Sequence, residues 1–247
     1  MTKKATLLIL ATAIILTAGC VNNGSENGRI TPQPIETNST ELATPLSTFG
    51  TNIDVEVIAH TSYYFANETG NQIYFAIEYK NSGDCPLIVN NVSVKFRVND
   101  AEYSKDFEPV SYNYYVVFPN ESGYIAIWTD DLYSNGAENV NIEIIDVSLD
   151  ALPKIPERNL VEVKNVKIVQ NFADFATVTG DIELGSTDFT ACTVFCAFYD
   201  EANALLGVWY FSIFDDTESF TTQLISLPIP ELAQKTKSIK AIGFGID

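Results

Sequence analysis

The chain has 247 residues, of which 32 are Asp or Glu and 14 are Lys or Arg, a formal charge of −18. A surface this acidic excludes the basic stripe that nucleic acid requires and disfavours lying flat on anionic headgroups; it suits divalent cations, cationic partners or a salty milieu. Hydrophobic residues at 46% and aromatics at 12% can fill packed cores, which excludes global disorder. The acidity is general: residues 51–148 carry 4 basic and 15 acidic groups, and residues 160–247 carry 5 and 12.

Lys3 and Lys4 open the chain, residues 5–19 are apolar or small, and the run ends at Leu16-Thr17-Ala18-Gly19-Cys20. That order is the grammar of an export signal. A leucine three residues before a cysteine, with Ala and Gly between, resembles the prokaryotic lipobox. The resemblance implies a signal peptide over 1–19 and a mature protein that starts at a lipidated Cys20. An apolar run of about 15 residues spans roughly 22 Å as a helix, short of a hydrocarbon core about 30 Å thick. An uncleaved anchor and plain secretion are the alternatives. The expected location is the extracytoplasmic face of the cell membrane, with the lipid as the membrane contact.

Residues 20–50 are rich in Asn, Ser, Thr, Pro and Gly and show no apolar period, so a flexible tether is expected there. From Ile53 the pattern becomes β-type. Ile53, Val55 and Val57 alternate with acids; Ile73, Phe75, Ile77 and Tyr79 alternate around Tyr74, Ala76 and Glu78. Asn81-Ser82-Gly83-Asp84 is a turn, and Val92, Val94, Phe96 and Val98 form the next strand. Runs at Tyr114–Phe118, Tyr124–Trp128 and Val140–Val147 complete about seven strands over 51–148. Leu152-Pro153-Lys154-Ile155-Pro156 reads as a stiff linker within 149–159.

A second cycle fills 160–247: Leu160–Val169, Phe175–Leu184, Ala191–Tyr199, Leu205–Phe214, Phe220–Ser226 and Ile239–Ile246, with one helical turn at Ile229–Lys235. Short alternating strands with turns between them predict an all-β chain of two tandem antiparallel sandwiches, with one continuous large sandwich as the alternative. The halves look weakly alike. In the second, Val178-Thr179-Gly180, the turn at Gly185, Cys192 to Asp200 and Ala204-Leu205-Leu206-Gly207 resemble the FxLYD-type domain, a small immunoglobulin-like module of bacterial and archaeal envelope proteins. The naming pentapeptide falls on Cys196-Ala197-Phe198-Tyr199-Asp200, where Tyr and Asp match, Phe198 replaces Leu and Cys196 replaces Phe. The first half also looks like envelope immunoglobulin-type modules, through Tyr79 to Gly83 and the Val92 strand. These families imply spacing and interaction, and no known chemistry.

Candidate sites are few. His60 is the only histidine and no Gly-x-Ser-x-Gly elbow occurs, which removes the usual hydrolase constellations. Asp130-Asp131, Asp200-Glu201 and Asp215-Asp216 read as turn acids. Cys192 and Cys196 lie about 13 Å apart on one strand face, too far for a disulfide, and read as small buried apolar residues; a Cys85 pair with either one would have to cross domains. Calcium is the one metal in view, at an interdomain site using Asp146 or Asp150; no other cofactor is expected. Of the aromatic clusters, Tyr112-Asn113-Tyr114-Tyr115 has the most loop-like context, which makes Tyr112, Tyr114 and Tyr115 the candidate binding edge. Asn-x-Ser/Thr sequons at Asn38, Asn67, Asn91 and Asn120 (a fifth is at Asn23) would suit glycosylation of an exported archaeal protein. The expected function is a noncatalytic envelope module that binds or spaces other surface proteins or glycans. A carbohydrate- or calcium-binding surface protein is the alternative, and an envelope hydrolase comes third.

Overall fold

The computed structural model describes residues 49–67, 70–108, 116–130, 140–154, 160–172, 175–183, 191–214, 219–225 and 231–246, with Leu227 and Ile229. Ser47–Asp247 forms a single compact unit. Its first half holds β1 (Val55–Asn67), β2 (Gly70–Asn81), β3 (Leu87–Val98), β4 (Ala101–Phe107), β5 (Ser122–Asp130) and β6 (Ile142–Pro153). The second holds β7 (Leu160–Phe172), β8 (Phe175–Glu183), β9 (Ala191–Tyr199), β10 (Leu205–Phe214), β11 (Ser219–Ile225), the short helix α1 (Leu232–Lys235) and β12 (Ser238–Ile246).

Every named strand pairing is antiparallel, and the two halves share one topology. The first half forms the sheets β1-β2-β5 and β4-β3-β6. In the second half, β7-β8-β11 and β10-β9-β12 repeat that order strand for strand. The chain is therefore all-β, as the alternation predicts; the two three-stranded ladders are separate sheets in the first half and are joined through β12 and β7 into one six-stranded sheet in the second.

The third strand of each half is its spine. Along β3, Val92, Val94, Phe96 and Val98 are buried, and Phe96 meets Phe75 of β2 at 5.2 Å between ring centroids. The strand ends in a two-residue turn at Asn99-Asp100, where Asn99 takes φ 53, a left-handed value that asparagine tolerates and a tight hairpin needs. Along β9, Cys192, Val194, Cys196 and Phe198 occupy the corresponding inward positions, counted back from the hairpin that follows. Asp200 closes that hairpin by accepting the Ala204 N–H at 2.8 Å. Asn81, fully buried, makes the expected Asn81–Asp84 turn a fixed corner: its amide donates to the carbonyls of Cys85 and Val117, and its oxygen accepts the Gly83 N–H.

Three expectations are corrected. A fourth strand, β4, lies where none was read; Ala-Glu-Tyr-Ser-Lys-Asp-Phe is a mostly exposed edge held by β3, so its apolar alternation is faint. The expected linker begins too early, because β6 runs to Pro153 and pairs Leu152 with Ile88 and Pro153 with Leu87. Proline is tolerated at that strand end. Of the expected strand Tyr114–Phe118, the described part makes only a single bridge, between Val117 and Leu87.

The halves are lobes of one body. A single hydrophobic cluster runs from Ile73 of β2 to Leu232 of α1. The sequence pattern turns Ile73, Phe75, Ile77 and Tyr79 inward, yet Tyr74, Ala76 and Glu78 on the opposite face are at most 3% exposed. The second lobe covers that outer face. Trp128 of β5 lies 5.9 Å from Trp209 and 6.2 Å from Tyr210 of β10. Tyr74 completes the join: its hydroxyl accepts the Val208 N–H at 2.6 Å and donates to the Val208 carbonyl at 2.7 Å. One phenol thus satisfies both backbone groups of a residue on the edge strand β10, which would otherwise be buried unpaired.

Candidate functional site

The place where the two lobes differ most is the seam between the first and sixth strands of each. In the second lobe this seam is closed, because β7 and β12 are hydrogen-bonded through Val161–Gly243 and Leu160–Phe244. In the first lobe β1 and β6 lie side by side in separate sheets, and no ladder joins them among the described residues.

Two local features keep it open. Val194 of β9 pairs with Gly243, whereas Val94, its counterpart in β3, pairs with Val147. A Cβ on Gly243 would stand 2.8 Å from a methyl of Val163 and 3.1 Å from the Val161 carbonyl, so the closed seam depends on a residue without a side chain. Val147 brings a branched side chain to the matching place. The second feature is a pair of β-bulges. β1 shifts register between Val57 and Ala59, and β6 shifts between the partners of Lys95 and Phe96, leaving Ile58 and Ile145 as the extra residues. A bulge turns its residue away from the ladder and bends the strand, which is how strand edges and sites are often shaped.

The result is an open cleft of about 420 Å³, a volume within the range of ordinary ligand sites. Val57, Ala59, Val147 and Leu205 form its less exposed part. Ile58, His60, Ile145 and Asp146 stand around it exposed, Ile58 at 47% and Ile145 at 37%. A third bulge, at Leu206 in the start of β10, adjoins the cleft on the side of the second lobe. The chemistry offered is apolar, with one carboxylate and one imidazole beside it.

A second polar group lies between the lobes. Glu78 of β2, its side chain 4% exposed, accepts a hydrogen bond from Lys240 Nζ of β12 at 3.1 Å. That ammonium also sits 4.5 Å from the centre of the Tyr199 ring. The Tyr199 hydroxyl donates to Tyr124 at 3.4 Å, and Glu78 is a further hydrogen-bond partner of Tyr199. Burial, reinforced by these neighbours, raises the Tyr199 phenol, and burial pushes Tyr124 up to about 12. A buried carboxylate with a cation and phenols around it is the arrangement that makes burial tolerable. It ties the lobes together.

His60 lies within β1, opposite Ile77, and is exposed. Asp146 borders the cleft, while Asp150, four residues on along β6, is paired with the Asn91 amide at 3.5 Å. A four-residue separation in a strand is about 13 Å, too far for both carboxylates to ligate one ion. No group of three His, Cys, Asp or Glu side chains suited to a metal occurs among the described residues. Cys85, Cys192 and Cys196 are free and buried, and burial pushes the Cys192 thiol up to about 11 and Cys196 to about 12. Asn91 is half-buried in β3, and Asn120 is exposed in a turn at φ 69. Asn67 ends β1. Cys20, Asn38, Tyr112, Tyr114 and Tyr115 lie outside the described residues.

Sequence reasoning missed Ile58, Ile145 and Val147 as a group. One signal was present: Ile142, Ile144, Ile145 and Val147 break strict alternation at a consecutive isoleucine pair, which is how a bulge appears in a sequence. No protein-family model matches the chain, and no curated protein matches it.

Proposed function

We propose that this chain is an extracytoplasmic lipoprotein, attached through lipid on Cys20, whose two immunoglobulin-like lobes form a noncatalytic binding and spacing module of the cell envelope. The observation that carries the reading is the join between the lobes. Tyr74, Glu78, Tyr124, Tyr199 and Lys240 are spent on fixing one lobe to the other. Such a body holds a fixed shape at the end of a polar tether, which suits a part that carries or positions a partner. The same topology in both lobes fits a duplicated module, and the pentapeptide at Cys196–Asp200 supports the FxLYD-type resemblance. Its Tyr199 reaches the other lobe and its Asp200 closes the hairpin, so both matched residues have structural roles.

Intact mass and detergent phase partitioning of the native protein, beside a Cys20→Ser variant, test the anchor. A diacylated chain that starts at Cys20, and a variant that leaves the detergent phase, are the expected results. An uncleaved chain that still partitions with detergent would overturn the lipoprotein reading.

A further inference from the structure

We propose that Asn120 is the acceptor of an N-linked glycan and that Asn91, although it heads the same kind of triplet, is not. Such a modification requires the extracytoplasmic location proposed above, on which this inference rests. The triplets are Asn120-Glu121-Ser122 and Asn91-Val92-Ser93. A triplet is only an address; the asparagine amide must also stand in solvent with a hydrogen to give up. Phe118-Pro119-Asn120-Glu121 is a β-turn closed by the Glu121 N–H on the Phe118 carbonyl at 3.0 Å. Proline takes its second position and Asn120, at φ 69, its third, the combination of a type II turn. The turn is pinned to the buried corner at Asn81. The Asn120 N–H donates to the Asn81 carbonyl at 2.8 Å, and the Asn81 N–H donates to the Glu121 carbonyl at 3.0 Å. The backbone is thus held while Asn120 itself is exposed, and none of the described residues accepts a hydrogen bond from its side-chain amide.

Asn91 is the opposite case. It is half-buried within β3, opposite Asp150 of β6. Its amide donates to the Ser93 hydroxyl at 3.4 Å and to the Asp150 carboxylate at 3.5 Å, so both hydrogens have partners. The Ser93 hydroxyl, the third member of that triplet, is itself donated to Asp106 at 2.5 Å. A glycosidic bond there would remove one of these contacts from a paired strand. At Asn120 it removes none. Aromatic surface also lies at the acceptor turn: Phe118 opens it, and Phe49, 39% exposed, meets Phe118 at 5.7 Å between ring centroids. The C–H face of a sugar packs on the negative face of such rings. The co-substrate is an oligosaccharide on a polyprenyl phosphate or pyrophosphate carrier, delivered by a membrane-bound transferase. The Asn120 amide nitrogen bonds to the anomeric carbon of the first sugar. The bond from that carbon to the carrier's phosphate oxygen breaks, and one amide proton passes to a base of the transferase, with no change of oxidation state.

The test is tryptic peptide mapping, by mass spectrometry, of the full chain isolated from its own membranes. Cleavage after Lys80, Lys95, Lys105 and Lys154 puts Asn91 in peptide 81–95 and Asn120 in peptide 106–154, each with no other Asn-x-Ser/Thr triplet. Most of 106–154 is expected to carry a mass increment that fragments into sugar ions and maps to Asn120, and 81–95 is expected to carry none. Ser122→Ala leaves Asn120 in its turn, and Asn120→Gly keeps a residue that accepts the left-handed corner. Both variants should lose the increment while the protein stays folded. An unmodified 106–154 peptide, an increment that survives Ser122→Ala, or equal occupancy of Asn91 would overturn the inference. Peptide 20–29 of the same digest reports on the anchor. A lipid-modified Cys20 with an unmodified Asn120 would sink the glycan alone. A glycosylated Asn120 in a chain that keeps its leader would uphold the glycan and sink the lipoprotein reading.

Discussion

The two lobes use one strand order and finish it differently. In the second, the sixth strand returns to bond with the first, and the edge strand β10 is covered by the aromatic face of its neighbour. In the first, the sixth strand lies beside the first with no ladder between them among the described residues, and β4 is an edge of mostly exposed residues such as Glu102 and Asp106. Topology is set by the hairpins and by the inward alternation, which both lobes share. Closure is set by single residues at the seam, Gly243 in one and Val147 with two bulges in the other. A repeated fold can therefore present one sealed lobe and one lobe with an open seam without any change of strand order.

The contrast breaks first in the cores. Phe96 and Cys196 hold matching places on the two spines, but Phe96 fills its lobe with a ring packed against Phe75 and Tyr103. Phe96→Ala should cost about 3–5 kcal/mol, and Cys196→Ala about 1 kcal/mol, in urea unfolding. Equal costs would mean that Phe96 does not fill its core as its contacts with Phe75 and Tyr103 imply. Because the lobes have one core, each variant should melt in a single transition. Two resolved transitions would contradict the joined body.

Tyr74→Phe is next. It strips partners from the Val208 N–H and carbonyl at the buried join, a loss of about 2–3 kcal/mol. Faster amide exchange at Val208 would locate the damage, whereas unaltered stability and exchange would show that water replaces the phenol. Gly243→Val tests the seam itself. Overpacking against Val163 and the Val161 carbonyl should cost about 1–3 kcal/mol and weaken the β7–β12 bonds, making the second lobe more like the first. A variant as stable as the parent would mean that the glycine is not what closes the seam.

The smallest effect at neutral pH belongs to the buried phenols. Tyr74, Tyr124 and Tyr199 are all held above the ordinary tyrosine value, chiefly by burial. Their neutral forms support the fold fully below the unfolded tyrosine value of about 10. Above it the unfolded chain releases protons that the folded chain retains, so stability falls as pH rises, by up to about 1.4 kcal/mol per pH unit for each phenol. Urea midpoints measured from pH 8 to 12 should be level at first and then drop, and the drop should be shallower in Tyr74→Phe. A fall that starts on the acid side of neutrality would point to other groups.

Much of this architecture was readable from residues. Ala191–Tyr199 and Leu205–Phe214 are strands with the bounds the alternation assigns. The fourth strand was hidden because an exposed edge needs no apolar face. The seam was hidden for a different reason: a bulge costs one residue of register, and whether that residue meets a partner depends on strands far away in sequence. The Ile144-Ile145 pair therefore marks a bulge in the sequence but not what the bulge faces, until β1 is placed beside it.

By itself the sequence determined the all-β class, most strands, the turns at Asn81–Asp84 and Asp200–Asn203, and the inward faces of β3 and β9, because these follow from a local period of two and from residues that tolerate turn geometry. Only the tertiary structure decided that Tyr74 and Glu78 are interior, that the two lobes share one core, and that one seam is sealed while the other is open. Those outcomes depend on which distant surface covers a strand, and a local alternation holds no information about its cover.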